Sequence, residues 1–94
     1  MLTGHEVRTK TFHATKWREG YDVADVTAVL ERAAAALDAV AAGHQTAGLL
    51  TASELLGAKF RATKFRAGCD QDEVDDFLDV VVGALKAAGG PVSA

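Results

Sequence analysis

The chain has 94 residues, which suits one domain, and its 13 acidic and 10 basic side chains give a net charge of −3 at pH 7. Apolar residues make up 49% of the chain, yet no apolar run approaches the roughly 20 residues of a membrane span. The first residues lack the apolar stretch of a signal peptide, and Cys69 has no second cysteine for an intrachain disulfide, so we expect a cytoplasmic protein.

One sequence pattern occurs twice. Residues 12–30 read FHATKWREGYDVADVTAVL, and residues 60–78 read FRATKFRAGCDQDEVDDFL. Residues 2–37 align without a gap on residues 50–85, and 14 of the 36 aligned positions are identical. We interpret residues 1–94 as a single domain made by tandem duplication, with repeats over 2–42 and 50–88, a linker over 43–49 and a disordered tail over 89–94. A repeat of about 45 residues barely buries its own core, so the two repeats should pack on each other or on another chain.

Each repeat is predicted to begin with a short capped helix. Thr3 and Glu6 have the spacing of a capping box, in which each side chain accepts a hydrogen bond from a free backbone N–H at the helix start. The same pair recurs as Thr51 and Glu54, and Gly57 should end the second short helix.

Irregular connectors are predicted over residues 9–21 and 58–69. Their threonines disfavour a continued helix, and Gly20 and Gly68 would allow turns with positive φ. We expect no β-sheet here. Eight of the ten Lys and Arg residues lie in or beside the connectors, namely Arg8, Lys10, Lys16, Arg18, Lys59, Arg61, Lys64 and Arg66.

A long helix should follow each connector, with Asp22 and Asp70 as N-caps. The apolar positions of both helices recur at spacings of four and three, which is the a/d pattern of a seam between packed helices. The seam consists of Val26, Leu30, Ala33, Leu37 and Val40 in the first helix and Val74, Leu78, Val81, Leu85 and Ala88 in the second.

These elements predict an all-α fold with two pseudo-symmetric repeats, each a short capped helix, an irregular connector and a long helix. We expect the long helices to pack in parallel along the a/d seam; an antiparallel pair and exchange of halves between two chains are the alternatives. Val29, Phe77 and Val82 widen the apolar face beyond a narrow coiled-coil stripe, which favours a homodimer.

A longer pattern connects these elements to a known family. It reads F-x-x-T-K-F-R-x-G-x-D-x-x-E-V-D-x-F-L, follows a short L-T-x-x-E helix, and resembles the N-terminal domain of the DivIVA family. Repeat 2 carries it through Leu50, Thr51, Phe60, Phe65, Arg66, Gly68, Asp70, Glu73, Val74, Asp75, Phe77 and Leu78. Repeat 1 carries it through Leu2, Thr3, Phe12, Trp17, Arg18, Gly20, Tyr21, Asp22, Val26 and Leu30.

The resemblance implies a non-enzymatic scaffold or adaptor of bacterial cell division or polar growth. Such proteins assemble through coiled coils and bind the inner face of the cell membrane, where an aromatic residue followed by arginine touches the lipid. Transferred to this chain with the flanking lysines, the contact residues are Lys16, Trp17, Arg18, Lys64, Phe65 and Arg66.

The residues themselves leave alternatives open. Trp17 and Phe65 could pack inward while the cations face water. Separately, the basic connectors could pair with the acidic first turns of the long helices, within the chain or across a dimer. The chain could also be a protein-binding module that co-assembles with longer DivIVA-like or other coiled-coil division proteins and does not bind lipid.

Other functions have less support. The basic connectors could bind single-stranded nucleic acid, with Phe60 and Phe65 stacking on bases, but the chain is acidic overall and has no recognised binding motif. Cys69 and the three histidines lack metal-ligand spacing, and no nucleophile has a base beside it. We therefore predict no metal site, no cofactor and no enzymatic activity.

Overall fold

A computed structural model describes residues 2–43 and 48–87 of the chain. Within them, both halves carry a helix, two strands and a helix in the same order. The elements are α1 (Gly4–Thr9), β1 (Ala14–Thr15), β2 (Gly20–Tyr21), α2 (Val23–Ala41), α3 (Ala52–Leu56), β3 (Ala62–Thr63), β4 (Gly68–Cys69) and α4 (Gln71–Ala87). The predicted tail over 89–94, the seam residue Ala88 and most of the predicted linker over 43–49 lie outside the described residues.

The two short helices begin at the predicted capping boxes. The backbone N–H of Glu6 donates to Thr3 Oγ1 (3.1 Å), and the backbone N–H of Thr3 donates to the Glu6 carboxylate (3.0 Å). In the second repeat, the backbone N–H of Glu54 donates to Thr51 Oγ1 (3.0 Å), and the backbone N–H of Thr51 donates to the Glu54 carboxylate (3.1 Å). Both capping boxes are therefore confirmed, and α3 ends at its C-cap Gly57 as predicted.

The prediction of an all-α fold is wrong, because the connectors form a four-stranded antiparallel sheet within the described part of the chain. The strand order is β1-β4-β2-β3, so every pairing joins a strand of one repeat to a strand of the other. A strand of two residues is too short for an alternating apolar pattern, and its partners are distant in sequence. Local periodicity therefore contains no signal for this sheet.

The sheet has an approximate twofold axis at its centre, where Tyr21 of β2 pairs with Cys69 of β4. Main-chain hydrogen bonds on either side occupy equivalent positions. The N–H of Asp22 donates to the carbonyl of Arg61 (2.8 Å), and the N–H of Asp70 donates to the carbonyl of His13 (3.0 Å). The two connectors are therefore intertwined, and each depends on the other for its backbone hydrogen bonds.

The two connector glycines serve the sheet rather than turns with positive φ. Among the described residues, positive φ occurs instead at Gly43, Gly48 and Phe65. A Cβ atom on Gly20 would lie 2.9 Å from the carbonyl oxygen of Cys69, and one on Gly68 would lie 3.0 Å from the carbonyl oxygen of Tyr21 and would also overlap the hydroxyl of Thr63 in its own repeat. Close approach of strands from opposite repeats requires glycine at both positions.

The core lies between the helices. Helix α1 packs on α2, α3 packs on α4, and the two long helices contact each other. The predicted seam residues that are buried are Val26, Leu30, Ala33, Leu37, Val74, Val81 and Leu85, whereas Leu78 and Val40 are half-buried. The seam is therefore the inner face of the helical layer, as its spacing indicated.

The two long helices begin side by side. Helix α2 starts at Val23 and α4 at Gln71, each two residues after the central pair of Tyr21 and Cys69. An antiparallel pair would place the start of one helix beside the end of the other, so that alternative is excluded. The repeats complete each other within one chain, and the pairing does not require an exchange of halves between chains.

Replacement of Gly68 by Ala should lower the free energy of unfolding by about 1–3 kcal/mol, because a methyl group would be forced into a closely packed crossing of strands. Gly57→Ala is the matched control, since its Cβ would meet no atom closer than 3.7 Å. We expect the control to change stability by no more than about 0.5 kcal/mol. Urea denaturation measures both, and equal losses would contradict the close approach at Gly68.

Candidate functional site

The candidate site consists of the two connector turns, which we name the tips: residues 16–19 between β1 and β2, and residues 64–67 between β3 and β4. Each tip begins with lysine, an aromatic residue and arginine. The backbone N–H of Phe65 donates to the carbonyl oxygen of Lys16 over 2.9 Å. The two tips are therefore in contact and form a single projecting end of the sheet.

Both aromatic rings of the tips face solvent. Trp17 is 77% exposed and Phe65 is 67% exposed, more than any other large apolar side chain in the described part of the chain. The alternative in which these rings pack inward is therefore wrong. Their exposure on two tips that contact each other makes these turns a candidate contact surface.

The backbone at the second tip is strained. Phe65 has a φ of 63°, in the left-handed region that bulky side chains avoid. Such a conformation costs on the order of 1 kcal/mol or more and persists only where surrounding contacts enforce it. The hydrogen bond from the Phe65 N–H to the first tip is one such contact. The contact between the tips thus helps to hold the backbone of Phe65 in this conformation.

The tip lysines lie close to the aromatic rings. The ammonium of Lys16 is 5.8 Å from the centroid of the Trp17 ring, and that of Lys64 is 5.4 Å from the centroid of the Phe65 ring. These distances suit cation–π attraction, which is weak at exposed sites. No carboxylate pairs with either lysine among the described residues, so both positive charges remain available to a partner.

The tip arginines are oriented by the opposite repeat. Arg18 pairs with Asp70, and Arg66 approaches Asp22 at 3.4 Å. Both aspartates are buried at the starts of the long helices, where they also accept hydrogen bonds from backbone N–H groups. The backbone N–H of Glu73 and, to a smaller extent, the charge of Arg18 lower the pKa of Asp70. The predicted pairing of connector cations with acidic first turns is thus correct for the arginines.

A second pair of contacts holds the base of each connector. The backbone N–H of Arg61 donates to Asp25 (2.9 Å), and its guanidinium donates to the same carboxylate at 2.9 and 3.0 Å. At the equivalent position, the backbone N–H and Nδ1 of His13 contact Glu73 at 2.9 and 2.6 Å. The Arg61–Asp25 contact is another case of a connector cation paired with an acidic first turn. The His13–Glu73 contact was missed at the sequence level, although alignment of the repeats places the two pairs at matching positions.

The structure brings all six predicted tip residues together and places the helix seam away from them. No helix of the described residues is long and apolar enough to cross a membrane. Nor do residues 2–43 and 48–87 contain a group of three or more His, Cys, Asp or Glu that could hold a metal ion.

No protein-family model matches the chain, and neither a curated protein nor a solved structure is significantly similar to it.

The Asp25–Arg61 contact should make stability depend on pH in acid. Hydrogen bonds from the side chain and backbone of Arg61 lower the pKa of Asp25 to about 2. An unfolded Asp has a pKa of about 3.9, so its unfolded form binds more protons below that pH. The stabilisation is therefore complete above pH ~4 and is lost as the pH falls through about 2.

Asp25→Asn should flatten this dependence of the free energy of unfolding on pH, measured by urea denaturation between pH ~4 and ~2. Asp79→Asn is the control, because Asp79 is exposed and has no ion pair among the described contacts. An unchanged slope in Asp25→Asn, or an equal change in the control, would show that the contact does not contribute.

Proposed function

We propose that the chain is a non-enzymatic, DivIVA-like scaffold or adaptor of bacterial cell division or polar growth. In this proposal the two tips bind the anionic inner face of the cell membrane, and the helical layer faces the cell interior. The observation that supports it is the exposure of Trp17 and Phe65 on two tips that contact each other, with each ring between two cations in the sequence.

The chemistry of the tips suits an anionic lipid surface. Aromatic rings favour the depth of the lipid headgroups, and each nearby Lys or Arg contributes about 1 kcal/mol at an anionic leaflet. Arg18 and Arg66 remain mostly exposed despite their contacts with aspartate. Glu19 opposes binding at the first tip, so the second tip should contribute more. Each attraction is weak, and useful affinity requires both tips.

The distribution of charge would orient the molecule. Lysine and arginine flank the rings at the tips, whereas the exposed side of α4 carries several acids, namely Asp72, Asp75, Asp76 and Asp79. A surface with negative charge attracts the first region and repels the second. Since the tips contact each other, a single approach would engage both rings. A single chain with two repeats would thereby provide two membrane contacts, whereas a chain with one repeat would need a second copy of itself to do so.

A second candidate is a protein-binding module that co-assembles with longer coiled-coil division proteins, or with a second copy of itself, without touching lipid. The exposed apolar side chains of Leu56 and Val80 favour it, because both lie on helices away from the tips. In this case the helical surface, rather than the tips, would carry the interaction.

Vesicle binding distinguishes the two candidates. We expect the wild-type protein to co-sediment with vesicles rich in anionic lipid and not with neutral ones, with a blue shift in the fluorescence of Trp17, the single tryptophan of the chain. The double variant Trp17→Ala/Phe65→Ala should bind about 100-fold more weakly, because burial of each ring contributes on the order of 1.5 kcal/mol or more to the free energy of binding.

The matched control is Leu56→Ala/Val80→Ala, which removes exposed apolar surface away from the tips and should still sediment with the vesicles. If the wild-type protein stays in the supernatant with anionic vesicles, the membrane part of the proposal is wrong and the protein-binding module is favoured. Salt-sensitive binding to single-stranded oligonucleotides in place of vesicles would instead indicate a nucleic-acid-binding protein.

A further inference from the structure

A groove of about 540 Å³ lies between the first connector and α4, and we name it the α4 groove. The rings of Phe12 and Phe77 meet edge to face on its floor, with 5.9 Å between their centroids. Val80 lies beside them and is 54% exposed. The fold does not require an apolar residue there, since the aligned residue of α2 is Arg32. The groove therefore offers apolar surface that nothing in the chain covers.

Carboxylates run along α4 beside this apolar surface. Asp76 lines the groove, and Asp72 and Asp79 lie about one helical turn before and after it, so the three side chains are neighbours on the helix. All three are exposed, and none forms an ion pair in the described part of the chain. This side of the groove thus presents negative charge to a partner.

The opposite wall of the groove carries two basic side chains. His13 is occupied by Glu73, which its Nδ1 contacts at 2.6 Å. The ammonium of Lys10 lies over the floor, 5.8 and 5.4 Å from the ring centroids of Phe12 and Phe77. The two rings therefore already attract a cation. Because Lys10 is exposed and its side chain is flexible, a cation from another molecule can take its place.

From these surfaces we infer that the tips of one chain bind the α4 groove of a second copy. Each tip carries an exposed ring between two cations, and the groove has an apolar floor beside carboxylates. A tip ring would pack against Phe77 and Val80, with a tip cation facing Asp76. The groove has the volume of a small ligand site, which is enough for one aromatic side chain. Contacts of tip with tip or groove with groove would oppose like charges instead.

The contact joins two different surfaces of the same protein. Such a heterologous contact extends into a row of molecules, or into a ring where the rotation between neighbours closes. It uses the tips that the proposed function assigns to the membrane, but it does not rest on that function, because it needs no lipid. One tip cannot occupy a groove and a membrane at once, so self-association and membrane binding should compete.

Sedimentation velocity of the full chain without lipid provides the first measurement. The weight-average mass should rise with protein concentration between about 10 μM and 1 mM, the range of a weak contact. It should return to the mass of one chain in about 0.5 M NaCl, where exposed charges are largely screened. The mass of one chain at every concentration in low salt would overturn the inference.

Two variants each remove one half of the contact. Trp17→Ala/Phe65→Ala keeps the groove, and Asp76→Lys/Val80→Lys keeps the tips; all four side chains are exposed, so both variants should fold. Each alone should remain a single chain, whereas their mixture should form a 1:1 complex and nothing larger. Leu56→Ala is the control and should associate as the wild type does. A mixture that forms no complex would refute the pairing of tip with groove.

Vesicle binding keeps this inference separate from the proposed function. Asp76→Lys/Val80→Lys should bind anionic vesicles at least as tightly as the wild type, because its tips are intact and no longer occupied by a second copy. Self-association of the wild type without vesicle binding would contradict only the membrane proposal. Vesicle binding by a chain that stays single at about 1 mM would contradict only the inferred contact between copies.

Discussion

The pairing of β2 with β4 is the contact on which the rest of the structure depends. It joins Tyr21 to Cys69 at the centre of the sheet, and each long helix begins two residues further on. This single pairing therefore sets the two helices side by side, aligns their apolar seams and directs both tips to the same end. Without it, strands of two residues would leave backbone groups unpaired, and an isolated pair of strands of this size is at best marginally stable.

Two buried aspartates connect the helices to the tips. Asp22 accepts the N–H of Asp25 at the start of α2 and also receives Arg66, and Asp70 does the same for α4 with Arg18. Each carboxylate thus caps one repeat's helix and orients the other repeat's tip. A helix cap is worth about 1 kcal/mol, so loss of either aspartate would affect both stability and the direction of a tip.

Local signals predicted the helices well and the sheet not at all. The capping boxes at Thr3 and Thr51 and the seam spacing depend on residues within one or two turns of each other, so they can be read from the sequence. The sheet depends on hydrogen bonds between positions such as Tyr21 and Cys69, which only the fold brings together. The exposure of Trp17 was equally unpredictable, because an aromatic residue between cations suits either a packed or a projecting turn.

The alignment of the two repeats nevertheless contains information about contacts between them, which local patterns within one repeat lack. In a pair of repeats related by an approximate twofold axis, each contact between them occurs twice with the roles exchanged. Residues that match in both repeats, such as Thr15 with Thr63 and Gly20 with Gly68, lie in the sheet where the repeats cross. Where the residues differ, the contact is still present, since the backbone N–H of His13 donates to the Glu73 carboxylate as that of Arg61 donates to Asp25. Matches that cluster in an irregular segment of a duplicated chain therefore indicate an interface between the repeats, even where no secondary-structure pattern can be read.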